Sequence, residues 1–323
     1  MISSIKNKKA VEINFAWMFA IVVGVVIILI AIYATTKLVN VERKAKDTEL
    51  GSELSTLLTP VETSVESGKS TQITTPQETR IYNECDLVGT FGTQKISAAS
   101  KSGMGGNDWE KPAISSKFYN KYLFSSSVVQ GKNFYILSKP FSLPYKVADL
   151  IIMWSNNQKY CFIGAQQDIT DDVSALNLKN INLNDTNCQI NETKVCFDRS
   201  CSTSANIYVD RDALSVKKKG MPAEYYLKGD KNALLFAAIF TDPALYECQV
   251  KRLMKRTGEL AMLYASKSDF LSTKGCTSTA LQAELITYAN LTSSMNSTLS
   301  LNSINRISDN LKDENKPLDC PLF

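Results

Sequence analysis

Polar and apolar positions along this chain follow three successive patterns. From Phe15 to Thr35 almost every position is apolar, and no charge falls between Glu12 and Lys37. At a helical rise of about 1.5 Å per residue, that run spans roughly 30 Å, the thickness of a bilayer core. A soluble helix of such length would carry a polar stripe, and this one has none. Trp17 and Tyr33, near its two ends, suit the two membrane interfaces. Residues 15–36 are therefore read as a transmembrane helix behind a short cytoplasmic tail, residues 1–14. The run exceeds the roughly 7–15 apolar residues of a cleaved secretory signal, so a retained signal-anchor is expected.

Residues 37–79 lose the apolar pattern. Charges at helical spacing predict that the membrane helix continues to about Leu58, and the Ser/Thr/Gln-rich remainder with Pro60 and Pro76 reads as a flexible stalk. Over residues 80–228 short β-prone runs take over. Leu150 to Trp154 is too continuous for a strand wetted on one face and reads as a central strand. The apolar runs on either side of Asn156 and Asn157 predict a hairpin, and one short helix is expected near Thr170.

Residues 229–323 return to a helical period. Asp242 followed by Pro243 is a strong helix start, and Tyr246, Val250, Leu253, Thr257, Leu260 and Tyr264 then form one apolar stripe. Leu281, Leu285, Tyr288, Thr292 and Met295 repeat the pattern in a second helix. Leu301, Ile304, Ile307 and Leu311 do so in a third. The expected fold class is α+β: an N-terminal transmembrane helix, a stalk, a β-rich region and a C-terminal three-helix antiparallel bundle.

Eight cysteines, Cys85, Cys161, Cys188, Cys196, Cys201, Cys248, Cys276 and Cys320, all follow the apolar run. An even count on one side of a membrane helix reads as a disulfide framework in an oxidising compartment. Antiparallel packing brings the end of the third helix near the start of the second, so Cys276–Cys320 is the expected pair; the others stay open. Asn184, Asn191, Asn290 and Asn296 head glycosylation sequons in the same region. Flanking Lys6, Lys8 and Lys9 are balanced by Lys37, Arg43, Lys44 and Lys46, so the cysteines and sequons orient the chain. The N-terminus is placed in the cytoplasm and the C-terminal part outside the cell membrane.

Candidate chemistry is sparse. Histidine is absent, which removes Ser-His-Asp and Cys-His catalysis and imidazole metal sites. The net charge of +4 is too small for this length to indicate nucleic acid. Cys188, Cys196 and Cys201 lack the close Cys-x-x-Cys pair of a zinc site. Asp168, Asp171 and Asp172 read as a helix N-terminal cluster rather than a Ca²⁺ loop. The glycine clusters at residues 89–95 and 102–108 match no nucleotide-binding fingerprint. Lys251, Arg252, Lys255 and Arg256 stack like charges at i,i+4 on one helix, a solvated face or a docking face for acidic protein, anionic glycan or lipid headgroups. No catalytic residue, cofactor or metal is expected.

The basic tail ending in Lys8-Lys9-Ala10, followed by an unbroken apolar helix, resembles the class III signal of archaeal type IV pilin-like proteins. That resemblance implies processing after Ala10 and packing of the helix into a filament core. The stretches EINFAWMFAIVVGVVIILIAIYATTKL, KPFSLPYKVADLI, YCFIGA and FTDPALYECQVKRLMKR resemble uncharacterised single-span surface proteins of small-genome archaea, which implies a surface location and no particular activity. The leading expectation is a non-enzymatic, membrane-anchored surface protein with its ectodomain serving binding or envelope structure. A pilin-like filament or pseudopilin subunit is the alternative, and a secreted-side enzyme a third class. Expected partners are the membrane, other envelope proteins or surface glycans, and further copies through the membrane helix.

Overall fold

The computed structural model describes residues 15–63, 70–101, 109, 115–176, 178–183, 188–201, 203–228, 231–276 and 279–323. Ala10 and Asn184, and the glycine-rich residues 102–108, lie outside the described residues. The chain divides into two compact units, residues 1–46 and 47–323.

Helix α1 runs from Phe15 to Thr63, somewhat beyond the expected end near Leu58. Its first part, Phe15–Val39, is long and apolar enough to cross a membrane, and none of that apolar surface is buried. Exposed Trp17, Phe19, Ile27, Leu29 and Ile30 leave the helix no protein core to serve. Such an apolar cylinder is stable only in a surrounding as apolar as itself.

The second unit starts its sheet earlier than expected. Strand β1 covers Ser70–Asp86, so residues 70–79, assigned above to the stalk, belong to the sheet, with 70–74 and 79 paired to β5. Its partners are β2 (Thr93–Ser100) and β5 (Val128–Ser142), both antiparallel. The pairing with β5 breaks register between Thr74 and Thr79, around Pro76, which has no amide hydrogen to give a ladder. The polar residues there are β-branched threonines whose hydroxyls find partners: Thr75 donates to the Gln77 carbonyl at 2.7 Å and Thr74 to the Asn133 side chain at 2.9 Å. Satisfied hydroxyls let a polar segment sit in a sheet.

With β3 (Ser116–Phe118), β4 (Leu123–Phe124) and β6 (Lys146–Ser155), these strands form a six-stranded sheet in the order β3-β2-β1-β5-β6-β4. The sheet curls. Gln94 on β2 donates to the Leu123 carbonyl on β4 at 2.9 Å and accepts the Leu123 amide at 2.9 Å, while Asn83 on β1 donates to the same carbonyl. Inside the curl lie Ile81, Ile96, Phe134, Ile136 and Met153. The run Leu150–Trp154 sits between β5 and β4 and is buried on both faces, the central strand expected from its unbroken apolar character.

The expected hairpin across Asn156 and Asn157 does not form. The strand after that turn, β7 (Tyr160–Ile163), leaves the first sheet and pairs in parallel with β8 (Ile181–Asn182) and β9 (Thr193–Cys196). With β10 (Ile207–Asp210), β11 (Ser215–Lys218) and β12 (Ala223–Tyr225) these make a second six-stranded sheet, ordered β12-β11-β10-β9-β7-β8. Helix α2 (Gln167–Ser174) connects β7 to β8 and buries Ile169 and Val173.

Helix α3 (Ala233–Phe240) is buried at every position and touches strands of both sheets. At its end Phe240 stacks on Trp154 of β6 at 4.4 Å and meets Tyr160 of β7 edge-on at 4.7 Å. One ring thus joins the two sheets. Helices α4 (Pro243–Ser272), α5 (Thr279–Ser293) and α6 (Leu301–Asn315) follow, α4 packing along α5 and α5 against α6. The predicted stripe residues Tyr246, Val250, Leu253, Thr257, Leu281, Leu285, Tyr288, Leu301, Ile304 and Leu311 are buried. Helices α4 and α5 approach closely at Gly258, where an added Cβ would lie 2.3 Å from the Ser293 hydroxyl. Because α4 also packs on β1, β4, β6 and β12, one core joins the β-rich and helical regions.

All eight cysteines are paired: Cys85–Cys248, Cys161–Cys188, Cys196–Cys201 and the expected Cys276–Cys320. Cys85–Cys248 ties β1 to α4 across 163 residues of sequence.

Candidate functional site

The basic run on α4 turns inward. Arg252 is fully buried, so the docking face expected of Lys251, Arg252, Lys255 and Arg256 does not exist as one. The Arg252 guanidinium donates to the carbonyls of Phe91 (3.1 Å), Lys121 (3.0 Å), Phe118 (3.2 Å) and Tyr119 (3.0 Å), and to Gln249 Oε1 (2.7 Å). It ties the end of β3, the chain just after it and the loop before β2 to α4 at one end of the curled sheet. Gly92, at φ +60°, makes room for it, since a Cβ there would reach within 3.0 Å of Arg252 Cγ. Lys255 donates to the carbonyls of Leu87 and Gly89, and Arg256 to that of Val147. Lys251 pairs with Glu247 at 3.3 Å. The like charges at i,i+4 are answered by backbone carbonyls brought from far along the chain.

The other charged candidates are likewise engaged. Asp168 accepts from Arg211 at 3.1 Å and from Asn232 at 3.2 Å, and against the burial that would raise it these bonds hold its carboxyl below the ordinary range. Asp172 pairs with buried Lys139 at 2.5 Å, and Asp171 accepts from Gln167 at 2.6 Å. Cys161, Cys188 and Glu192 are the one set among the described residues whose ligand atoms converge as metal ligands do. The two sulfurs are bonded to each other and so carry no thiolate. Asn191, Asn290 and Asn296 are exposed.

A further opening lies at the start of α4. A cleft of about 850 Å³ is walled by β1 through Asn83 and Cys85, by Met221–Glu224 leading into and along β12, by the first turns of α4, and by Ser297 and Thr298. The Cys85–Cys248 disulfide forms part of the wall. A smaller recess of about 320 Å³ shares Met221, Asp242 and Pro243 with it and adds Lys218 and Thr241.

Three carboxylates line the cleft, and their surroundings differ. Asp242, the residue before α4, accepts the Ser127 amide at 2.6 Å, so its side chain ties in the β4–β5 loop rather than capping its own helix. Glu247 accepts the Thr298 amide at 3.2 Å and the Lys251 ammonium. Glu224 is 3% exposed, and neither carboxylate oxygen has a hydrogen-bond partner. Burial pushes its carboxyl up to about 7; nearby Lys218 works against that shift, and Glu247 and Asp242 reinforce it. Lys218 itself donates to the Thr241 carbonyl, and burial lowers its ammonium below the ordinary lysine range.

Glu224 was not visible as special in the sequence. Its strand, Ala-Glu-Tyr, is three residues long, and burial is decided by α4 and the Thr298 turn closing over it, both distant in sequence. Comparison with protein-family models, with curated proteins and with solved structures finds no match to this chain.

Proposed function

We propose that this protein is a single-pass membrane-anchored surface protein whose disulfide-stapled ectodomain is a non-enzymatic binding or envelope-structure module. One conjunction carries the reading: every cysteine is paired, and all of them follow an apolar helix that buries nothing. Paired cysteines fit an oxidising compartment, and the unburied helix fits a membrane anchor or a signal sequence. In this reading residues 15–36 span the bilayer with the tail in the cytoplasm. Helices α4, α5 and α6 act as a three-helix layer behind the sheets, and the ectodomain contacts other envelope proteins or surface glycans. The absence of histidine and of any nucleophile motif supports a binding role over catalysis.

Protease treatment of intact cells and of inverted vesicles tests the orientation. Digestion of residues 80–323 in cells and their protection in inverted vesicles is expected, and the reverse pattern overturns the topology. Intact mass of the membrane-extracted protein tests the anchor. A species that keeps Lys6, Lys8 and Lys9 is expected, whereas one beginning at Val11 would favour a processed, filament-forming helix.

A further inference from the structure

We propose that the cleft beside α4 receives a cationic side chain, a lysine or arginine carried on a peptide segment of a partner, with Glu224 as its buried counter-ion. This deepens the binding role proposed above and rests on it for the partner's nature. The argument begins with what Glu224 lacks. Its two oxygens are enclosed and unpartnered, whereas Asp242 holds the Ser127 amide and Glu247 holds the Thr298 amide and Lys251. A buried carboxylate without hydrogen bonds is costly, and it is relieved either by taking up a proton or by a partner that supplies the missing donors.

Charge balance sets the sign of the missing partner. Among the described residues the cleft is lined by Glu224, Asp242 and Glu247 and by no lysine or arginine; nearby Lys218 is turned to the Thr241 carbonyl, Lys251 pairs with Glu247, and Lys219 lines the adjoining recess. The cleft therefore holds an excess of negative charge in a poorly hydrated place, where a hydrogen-bonding cation gains most. A bare metal ion is not favoured. Among the described residues no three carboxylates of this cleft converge as ligand atoms, and Ca²⁺ needs six or more oxygens drawn tightly together.

Shape points to a peptide rather than a small amine. At about 850 Å³ the cleft exceeds what one ammonium group fills, and the recess past Lys218 continues it. Met221, Pro222, Ala223, Pro243 and Leu245 give it apolar walls that suit the methylene stem of lysine or arginine. The free side of β12 is taken, since the Tyr225 amide donates to Thr298 and its carbonyl accepts from Tyr246, so the segment is held by its side chain and the apolar walls rather than by strand pairing.

The test uses the full-length protein in detergent micelles and a fluorescent heptapeptide of glycine and alanine with one central arginine, read by anisotropy at pH 8. At least tenfold tighter binding than the glutamine counterpart is expected, with that selectivity lost in Glu224→Gln. Lowering wild type to pH 5.5, which protonates Glu224, should weaken the arginine peptide in the same sense without any mutation. Equal binding of the two peptides, or arginine selectivity that survives Glu224→Gln, would overturn the proposal. Arginine methyl ester binding as tightly as the peptide would overturn the peptide assignment. Because the readout is in micelles, a wrong membrane orientation leaves this result unaffected, and a failure here leaves the anchor reading intact.

Discussion

Two buried charges stand at the same helix and are treated in opposite ways. Arg252 on α4 is closed off from water with every N–H committed, four to backbone carbonyls through its three nitrogens and one to Gln249. Glu224, facing the first turns of the same helix from β12, is closed off with both oxygens idle. A saturated buried charge is architecture, since its free energy is already spent within the fold. An idle one is destabilising for the protein alone and becomes favourable only when something else arrives.

The largest expected effect tests the first half of that contrast. Arg252→Leu should lower stability by roughly 4 kcal/mol or more, because it orphans several carbonyls at once. Arg252→Lys should be nearly as harmful, since one ammonium cannot reach what the planar guanidinium spans. Urea denaturation followed by tryptophan fluorescence measures both. Retention of wild-type stability within about 1 kcal/mol by the lysine variant would mean that charge, not donor geometry, holds this end of the sheet.

Next comes the frame between the two charges. Changing Cys85 and Cys248 together to serine should cost about 2–5 kcal/mol by freeing a long loop. It should also widen the wall of the cleft, so arginine-peptide affinity should fall while the Arg252 end keeps its hydrogen-exchange protection. Equal loss of protection at both ends would show that the two regions are not separable.

Glu224→Gln addresses the idle charge directly. Between the unfolded value near 4.5 and the folded value of about 7, the native state holds a proton that the unfolded chain has released. That contribution to stability is complete below about pH 4.5 and is lost as pH rises through 7. The wild-type curve should therefore decline, relative to the variant, by on the order of 2 kcal/mol between pH 4.5 and 8. Thermal melts of both proteins across that range give the difference, and parallel curves would mean that Glu224 is answered within the chain. The smallest effect belongs to Lys255→Ala. Its bonds to Leu87 and Gly89 are exposed, so a change below about 1 kcal/mol is expected.

Local signals were legible in the sequence and distant ones were not. Asp242-Pro243 announces α4, and the helical period of Tyr246, Val250 and Leu253 marks the buried side correctly. The pairing of Cys276 with Cys320 follows from helices of similar length joined by short loops. The unbroken apolar run at Leu150–Trp154 reads correctly as a strand covered on both faces. The turn after it misleads. Apolar runs on both sides of an Asn156-Asn157 turn are what a hairpin shows, yet nothing local says that β7 finds better partners in β8 and β9. The threonine-rich first part of β1, residues 70–79, reads as stalk because its polarity is visible in the sequence and its hydroxyl partners on β5 are not. The basic run on α4 failed for the same reason. Its acceptors lie more than 100 residues earlier, and a charge pattern seen along one helix cannot reveal carbonyls supplied by another part of the chain. Glu224 is the extreme case, since one acidic residue in a three-residue strand carries no pattern at all.

The bond between Cys85 and Cys248 also has a consequence for biogenesis. A ribosome delivers Cys85 first, and Cys161, Cys188, Cys196 and Cys201 all emerge before its true partner does. Throughout that interval β1 already has its sequence neighbours β2 and β5 but not α4, so one thiol waits unprotected while four unsuitable ones pass. Correct maturation therefore requires either that oxidation lag behind synthesis or that an isomerase undo early errors. Cells lacking thiol–disulfide isomerase activity should accumulate this protein with Cys85 joined to one of the four middle cysteines.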